Sequence, residues 1–321
     1  MKGDKKIKNK NIVVTGGLGF IGSHISEELC KKNDVTIVDN ESTGNIKNVQ
    51  DFQDELSIKI GDVNKLDLND IFEDVDYVLH QAALPSVPRS IKDPISSNET
   101  NITGTLKVLN AAHETGVKKV VFASSSSVYG DTPKLPKVET MPINPKSPYA
   151  ITKATGELYC NIFEEIYGLP TVSLRYFNVF GPRQDPNSQY SAVIPKFITA
   201  IKNGVSPMVY GDGTQSRDFT YVKNVVNANI KACESNNTGI FNIACGRQII
   251  LNDLIKILNE IMGKNITPLY VDPRPGDINH SLADIKTAKS IGYNPKDDFI
   301  NELKLTIEFF WNDTNPKNTT K

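Results

Sequence analysis

Residues 11–22 read Asn11-Ile12-Val13-Val14-Thr15-Gly16-Gly17-Leu18-Gly19-Phe20-Ile21-Gly22, and their order decides the fold. A short β-branched run meets a glycine turn, and residues 23–32 then alternate apolar and polar at helical spacing. The reading is strand, turn, helix. Gly16, Gly19 and Gly22 permit a tight turn, close approach of backbone to a pyrophosphate and close helix–strand packing, with the phosphate at the helix N-terminus. A second strand at 35–38 ends in Asp39, 23 residues after Gly16. Its carboxylate is placed to bind adenosine ribose hydroxyls and would repel a 2′-phosphate, so NAD is the expected cofactor. A glycine pattern alone is a weak signal; the strand before it, the helix after it and the acid beyond it give it weight.

Farther along, strands and helices alternate as a parallel sheet requires. The run 58–60 ends at Gly61-Asp62-Val63, and 77–80 runs into Gln81-Ala82-Ala83. A helical pattern covers 98–115, with Ile102, Leu106, Leu109 and Ala112 along one stripe. Residues 120–123 form a buried strand that stops at Ser124-Ser125-Ser126-Ser127, and another strand covers 171–176. Functional groups in open α/β sheets gather at carboxyl ends of strands, where Asp62, Ala82 and the serines lie. Beyond residue 177 the rhythm breaks, with Pro182, Pro186, Pro195 and Pro207 and glycines at 204, 211 and 213. The expected class is α/β: a Rossmann-type doubly wound parallel sheet with a smaller C-terminal α/β substrate lobe. Residues 1–177 would form the first domain, with segments around 220–245 returning to it, and 178–321 mainly the second.

Tyr149 and Lys153 stand four residues apart at the start of a helical segment. That spacing stacks the side chains on one face, so an ammonium is expected close to a phenol whose proton normally leaves near pH ~10. A nearby positive charge favours phenolate, and such a tyrosine works as a base near neutral pH. Pairs at this spacing are common in purely structural helices; the glycine turn gives this one its meaning.

The chain has 321 residues, 39% hydrophobic content and a net charge of −1. That length suits one large or two ordinary domains, and the charge shows no excess of the kind that binds nucleic acid. Lys2, Lys5, Lys6, Lys8 and Lys10 form a basic leader with no apolar run or cleavage site after it, read as a solvated tail. Residues 1–10 and 312–321, both polar, are expected to be disordered. No segment approaches the ~18 apolar residues of a membrane span, so no membrane partner is expected. Cys30, Cys160, Cys233 and Cys245 lack C-x-x-C spacing, and His24, His80, His113 and His280 show no metal-ligand pattern. No metal is expected, and a reducing cytoplasm is the simple location.

In the order and spacing of these segments the chain resembles the extended short-chain dehydrogenase/reductases, and within them the nucleotide-sugar 4-epimerases. The resemblance runs from residue 11 to residue 311. It rests on the glycine loop, Asp39-Asn40, Asp62-Val63, His80-Gln81-Ala82-Ala83, the serines before Val128-Tyr129-Gly130, Tyr149/Lys153, Arg175-Tyr176-Phe177-Asn178, Arg217-Asp218-Phe219 and Arg274-Pro275-Gly276-Asp277. It implies that NAD is held by Gly16, Gly19, Phe20, Ile21, Gly22, Asp39, Asn40, Asp62, Val63, Gln81, Ala82, Ala83, Tyr149, Lys153 and Tyr176. Tyr149 is implied to take the proton of the sugar O4 hydroxyl while hydride passes from C4 to the nicotinamide. Lys153 would bind the nicotinamide ribose and, with the cationic ring, depress the tyrosine pKa. Ser125, four residues before Tyr129, would bridge O4 and Tyr149. The 4-keto sugar then turns over with its diphosphate clamped, and hydride returns to the opposite face. Sugar 4,6-dehydratases place an Asp-Glu pair, and decarboxylases a Glu, just before the Val-Tyr-Gly segment, because a second proton transfer needs them. Here those positions are Ser126 and Ser127, which argues for chemistry at one carbon.

For the second lobe the resemblance implies a nucleoside diphosphate. Arg217 and Arg274 would hold the diphosphate, since guanidinium binds phosphate oxygens in a fork. Asp277 would meet the nucleotide ribose and Asn178 the diphosphate–sugar end. The segments carrying Val193, Lys196 and Tyr210 resemble a uridine pocket, and Ser86, Ser125, Ser126 and Tyr149 would face the sugar. Ser281 stands where epimerases restricted to non-acetylated sugars carry a bulky tyrosine, and a serine leaves room for an N-acetyl group at C2. Ser86-Val87-Pro88-Arg89-Ser90 and residues 280–284 also resemble the subgroup acting on UDP-N-acetylglucosamine, although Pro85 replaces a smaller residue there. Three functions stand open: a UDP-N-acetylhexosamine 4-epimerase that also accepts UDP-glucose and UDP-galactose, an epimerase restricted to non-acetylated sugars, and a catalytically idle NAD-binding sensor or scaffold. The helix at 98–115 and the one from Tyr149 are implied to pair with their copies in a homodimer. Ile102, Leu106 and Leu109 would then serve both core and interface, or else only face the sheet.

Overall fold

The computed structural model describes residues 7–185, 192–273 and 278–312. β1 (Asn11–Thr15) is buried from Ile12 onward, and α1 (Phe20–Cys30) begins after Gly19. β2 (Asp34–Asp39), β3 (Leu56–Ile60), the short α2 (Leu68–Phe72) and β4 (Tyr77–His80) follow. Then come α3 (Val87–Lys92), α4 (Pro94–Asn98), α5 (Gly104–Glu114), β5 (Lys119–Ser125), α6 (Pro148–Tyr167) and β6 (Thr171–Tyr176). The rest of the described chain forms β7 (Val179–Phe180), α7 (Val193–Lys202), β8 (Met208–Tyr210), β9 (Ser216–Arg217), β10 (Thr220–Tyr221), α8 (Val222–Glu234) and β11 (Gly239–Ile243). It finishes with β12 (Ile249–Ile250), α9 (Leu251–Met262), β13 (Leu269–Val271) and α10 (Phe299–Asn312).

Seven strands make one parallel sheet in the order β11-β6-β5-β4-β1-β2-β3. This is the doubly wound arrangement the sequence predicts. The order reverses between β1 and β4, which opens a crevice at their carboxyl ends, where such sheets bind ligands. Register levels those ends: Thr15 lies beside His80, and Ser125 beside Tyr176. One face carries α1 and α8 over Ile25, Leu29, Val225 and Ala228, and the other carries α2, α5 and α6 over Phe72, Val108, Phe122 and Phe163. Helices on both faces explain why the strands read as continuous apolar runs rather than alternating ones. A second core joins α7, α9 and α10 around Phe197, Ile198, Leu254, Leu258 and Leu303. Its strands pair only two by two, β10 with β7, β12 with β9 and β13 with β8.

Two expectations change. The single helix over 98–115 is interrupted: α4 ends at Asn98, a π-turn spans Glu99–Thr103, and α5 resumes at Gly104. The wider turn shifts the helical face, so Leu109 and Ala112 are buried, Ile102 and Leu106 stay half-buried, and Asn101 turns inward. The leader is not wholly a free tail either. Ile7 packs on the main core and its N–H donates to Glu234 Oε1, while the Asn9 N–H donates to Lys32 O at 2.8 Å. One apolar residue among lysines was the signal. Residues 1–6 and 313–321 lie outside the described residues, and α10 runs through Asn312.

Candidate active site

Helix α6 is fixed at both ends. Ser147 Oγ accepts from Ala150 N at 3.1 Å, Pro148 occupies the first turn where it loses no hydrogen bond, and Gly168 ends the helix at φ 70°. Tyr149 therefore sits in the first turn, with its N–H donating to the buried Ser90 hydroxyl at 3.0 Å. Lys153, one turn on, is 4% exposed. Its ammonium donates to Ala123 O at 2.7 Å and lies 6.0 Å from the centre of the Tyr149 ring. The lysine is thus held by the end of β5 rather than by the phenol, a departure from the simple reading of their spacing. Burial pushes the Tyr149 phenol up, and a hydrogen bond with the Ser125 side chain opposes it. Burial also pushes Lys153 down to about 8, against the pull of Cys160 and Glu157. Protein groups alone do not depress the phenol; it needs a further positive charge beside it to ionise near neutral pH.

Ser125 closes β5, and its Oγ accepts from Ser127 N at 3.2 Å as it turns the chain. Ser126 begins that turn. Neither Ser125 nor Ser126 is in the lining of the adjoining 2080 Å³ cleft, which reaches Ser124; that lining does include every residue expected to hold the cofactor: Gly16, the run from Gly19 to Gly22, Asp39, Asn40, Asp62, Val63, Gln81, Ala82, Ala83, Tyr149, Lys153 and Tyr176. Ser86 lines it as well.

The residues fit a dinucleotide. Gly16 is left-handed at φ 70°, and a Cβ there would lie 2.7 Å from Ala82 N; at Gly22 it would lie 2.1 Å from Gly16 O. No side chain caps α1, so its first N–H groups are open to a phosphate. Asp39 accepts from Leu18 N at 3.0 Å and Glu41 N at 2.8 Å, which leaves lone pairs of a four-site carboxylate for ribose hydroxyls. Asn40 Nδ2 donates to Asp62 Oδ2 at 3.2 Å and joins the two acid-bearing strand ends. Asn229 Nδ2 donates to the Tyr176 hydroxyl at 2.8 Å, and Gln81 Nε2 donates to Asn229 Oδ1 at 3.1 Å. His80, with Nδ1 2.7 Å from Thr15 Oγ1 and Nε2 3.0 Å from Thr105 Oγ1, is pushed down to about 3 by burial and stays neutral.

The sugar-nucleotide candidates form a separate group. Asn178, at φ 34°, donates to Asp218 O at 3.2 Å and to Ser281 Oγ at 3.3 Å. Arg217 Nη1 donates to Ser216 O and Asn279 O at 3.0 and 3.1 Å. Val193 and Lys196 lie on α7 and Tyr210 ends β8, outside the lining of the large cleft. Arg274 and Asp277 lie outside the described residues. Sequence reasoning gave Asp218 no role of its own and passed over Asn229, Glu157 and Asn101, all buried polar groups with partners remote in the chain. Their only local sign was a polar residue inside an apolar pattern. Among the described residues no three or more His, Cys, Asp or Glu are grouped to hold a metal, and no helix is long and apolar enough to cross a membrane.

A glycine turn under a switch-point crevice, with a Tyr/Lys helix facing it, defines an NAD-dependent enzyme of the short-chain dehydrogenase/reductase type. The model of the NAD-dependent epimerase/dehydratase family matches residues 12–244. The chain belongs to that family. It is 49% identical to UDP-N-acetylglucosamine 4-epimerase from Methanobrevibacter ruminantium M1, solved with UDP-N-acetylmuramic acid, at TM-score 0.94 over 96% of this chain and 100% of that one. Against UDP-glucose 4-epimerase from Thermotoga maritima, solved with UDP-glucose, identity is 38% and TM-score 0.91 over 95% and 100%. UDP-glucuronic acid 4-epimerase from Bacillus cereus, solved with UDP-glucuronic acid and NAD, gives 31% and 0.88 over 94% and 99%. The chain is accordingly an isomerase of the NAD-dependent sugar-nucleotide 4-epimerase class, with NAD as its cofactor.

Proposed function

We propose that the chain interconverts UDP-N-acetylglucosamine and UDP-N-acetylgalactosamine through a 4-keto sugar, and also accepts UDP-glucose and UDP-galactose. The observation that carries the sugar choice is Ser281. This small side chain is 9% exposed and takes a hydrogen bond from Asn178, which the resemblance sets at the diphosphate–sugar end. A serine there leaves room beside C2 that a tyrosine would fill. The relative at 49% identity, itself a UDP-N-acetylglucosamine 4-epimerase, supports the same choice.

In this reading NAD, when bound, accepts a hydride from C4 and returns it. Tyr149 removes the O4 proton, through or beside Ser125, and gives it back on re-reduction. Lys153 orients the cofactor ribose and supplies positive charge. Ser126 contacts the sugar, and the absence of a carboxylate at 126 and 127 keeps chemistry at one carbon. Arg217 and Arg274 clamp the diphosphate, Asn178 meets its sugar end and Asp277 the nucleotide ribose while the keto sugar turns over, with Val193, Lys196 and Tyr210 around the uracil and Ser86 by the sugar. Residues 1–177 with 220–245 serve the cofactor, and the remainder of 178–321 mainly the sugar nucleotide.

The relative that is a UDP-glucose 4-epimerase favours a second reading, restriction to non-acetylated sugars. Purified protein should be incubated with UDP-N-acetylglucosamine and with UDP-glucose separately and the epimers resolved. Conversion of both is expected; conversion of UDP-glucose alone would establish the second reading.

We also propose a homodimer. Ile151, Leu158, Ile162 and Ile166 on α6 are 51%, 58%, 43% and 66% exposed, and Ile102 and Leu106 flank them half-buried. A stripe of this kind needs a cover, and a second copy of the same helices supplies one. Light scattering should give twice 35.5 kDa; a particle of 35.5 kDa at micromolar concentration would refute it. All four cysteines are free thiols, which suits a reducing cytoplasm.

A further inference from the structure

One turn below Lys153 on α6, Glu157 is 3% exposed, and Arg175 on the neighbouring β6 is 2% exposed. Arg175 Nε and Nη2 donate to Glu157 Oε1 and Oε2 at 2.8 and 2.7 Å, a two-pronged ion pair. Ser124 Oγ donates to the same Oε1 at 2.5 Å. The guanidinium lies 4.7 Å from the centre of the Tyr129 ring, whose hydroxyl donates to Asn242 Oδ1 at 2.7 Å. One carboxylate therefore ties α6 to the carboxyl ends of β5 and β6, whose last residues are Ser125 and Tyr176.

A buried ion pair is a weak source of stability, because apolar residues of similar volume often serve as well or better. Its place directly under the reacting groups suggests another use. Ser124 is the chain neighbour of Ser125, so any slide of α6 along β5 would separate Ser125 from Tyr149. We propose that Glu157 is a positioning residue for epimerisation: it anchors Ser124 and Arg175 so that Ser125 and Tyr149 stay in contact, and sets a negative charge one turn from Lys153. The proposal rests on the reading of Ser125, Tyr149 and Lys153 as the catalytic groups.

The charge has a distinct signature. The titratable groups facing Lys153 are Tyr149, Glu157 and Cys160 on its own helix and neutral His80 on β4, with Arg175 behind Glu157. Glu157 favours the ammonium. Without that charge the ammonium loses its proton at lower pH, and activity should fall off earlier as pH rises.

The test compares Glu157→Gln, Arg175→Lys and Ser124→Ala with Tyr149→Phe on whichever UDP-hexose is turned over, reading kcat, KM, the pH profile, bound NAD and Tm. Glu157→Gln should lose roughly 10- to 100-fold in kcat with KM little changed and NAD retained, the size expected of misplaced reacting groups. Its high-pH limb should move down, while Arg175→Lys, which keeps both charges, should hold that limb in place. A Glu157→Gln protein with lowered Tm but wild-type kcat and pH profile would overturn the proposal, since a merely structural pair predicts that pattern. Should Glu157→Gln not fold, Ser124→Ala decides, because it leaves the ion pair intact. A several-fold fall in kcat at unchanged Tm supports the proposal, and wild-type kcat defeats it. Wild-type activity in Tyr149→Phe would instead sink the catalytic reading itself, so the two failures are separable.

Discussion

Among the cofactor candidates, Gly16, Asp39, Asp62 and Ala82 lie at the carboxyl ends of parallel strands; among the proposed sugar-nucleotide residues, Asn178, Arg217 and Ser281 sit on or beside two-residue strands and a crossing segment. The first group is placed by a continuous ladder. The second is placed by a few buried polar contacts. Ser281 N donates to Ser216 O at 3.0 Å, and the chain on either side is threaded between Ser216 and Lys137. Fully buried Asp218 accepts from Cys245 N, Gly246 N and Ala283 N at 3.0, 3.1 and 3.1 Å, binding two separate segments to β9. Burial pushes its carboxyl up to about 6, and those N–H donors oppose the shift. The folded pKa lies above the unfolded one, so this group alone makes stability fall as pH rises from about 4 to about 6. The difference teaches where the molecule has freedom: a ladder fixes the strand ends that carry the cofactor candidates, and a pinned loop lets the proposed sugar pocket change without disturbing the sheet.

Two substitutions probe that contrast. Tyr149→Phe should cut epimerisation by about 10²–10⁴-fold, the loss typical of one general acid/base group. Fold and bound NAD should persist, as seen by Tm and by cofactor content. Near wild-type turnover would remove Tyr149 from the mechanism and leave the cleft without its base.

A smaller, selective effect is expected at Ser281→Tyr. The ring must displace the hydrogen bond from Asn178 and fill space beside C2, so turnover of UDP-N-acetylglucosamine should fall by an amount equivalent to about 1–3 kcal/mol while UDP-glucose is spared. NAD retention, governed at the other end, should not change. Equal losses on the two sugars, or none on the acetylated one, would break the division of labour and return the non-acetylated epimerase to first place.

The cofactor candidates that line one cleft were legible in the sequence, and the proposed sugar-nucleotide residues only in fragments. Gly16, Asp39 and Asp62 could be found because each follows a β-branched strand, a pattern visible within a few residues. Tyr149 and Lys153 were visible for the same reason, as a helical spacing. Arg217 and Ser281 are proposed from resemblance to a family alone, since nothing in their own surroundings marks a pocket. The π-turn at Glu99–Thr103 was hidden because its residues keep a helical apolar rhythm, and only inward-facing Asn101 betrays the shift.

By itself the sequence determined the strand–turn–helix at the N-terminus, the parallel alternation and the cofactor class, because backbone sterics and side-chain periodicity act between near neighbours. Tertiary structure decided where the charges went. Lys153 reached Ala123 O across 30 residues, Arg175 found Glu157 across 18, and Asp218 gathered N–H groups as far as 65 residues away. Buried polar groups need partners wherever packing brings them, and packing brings together residues that no local pattern connects.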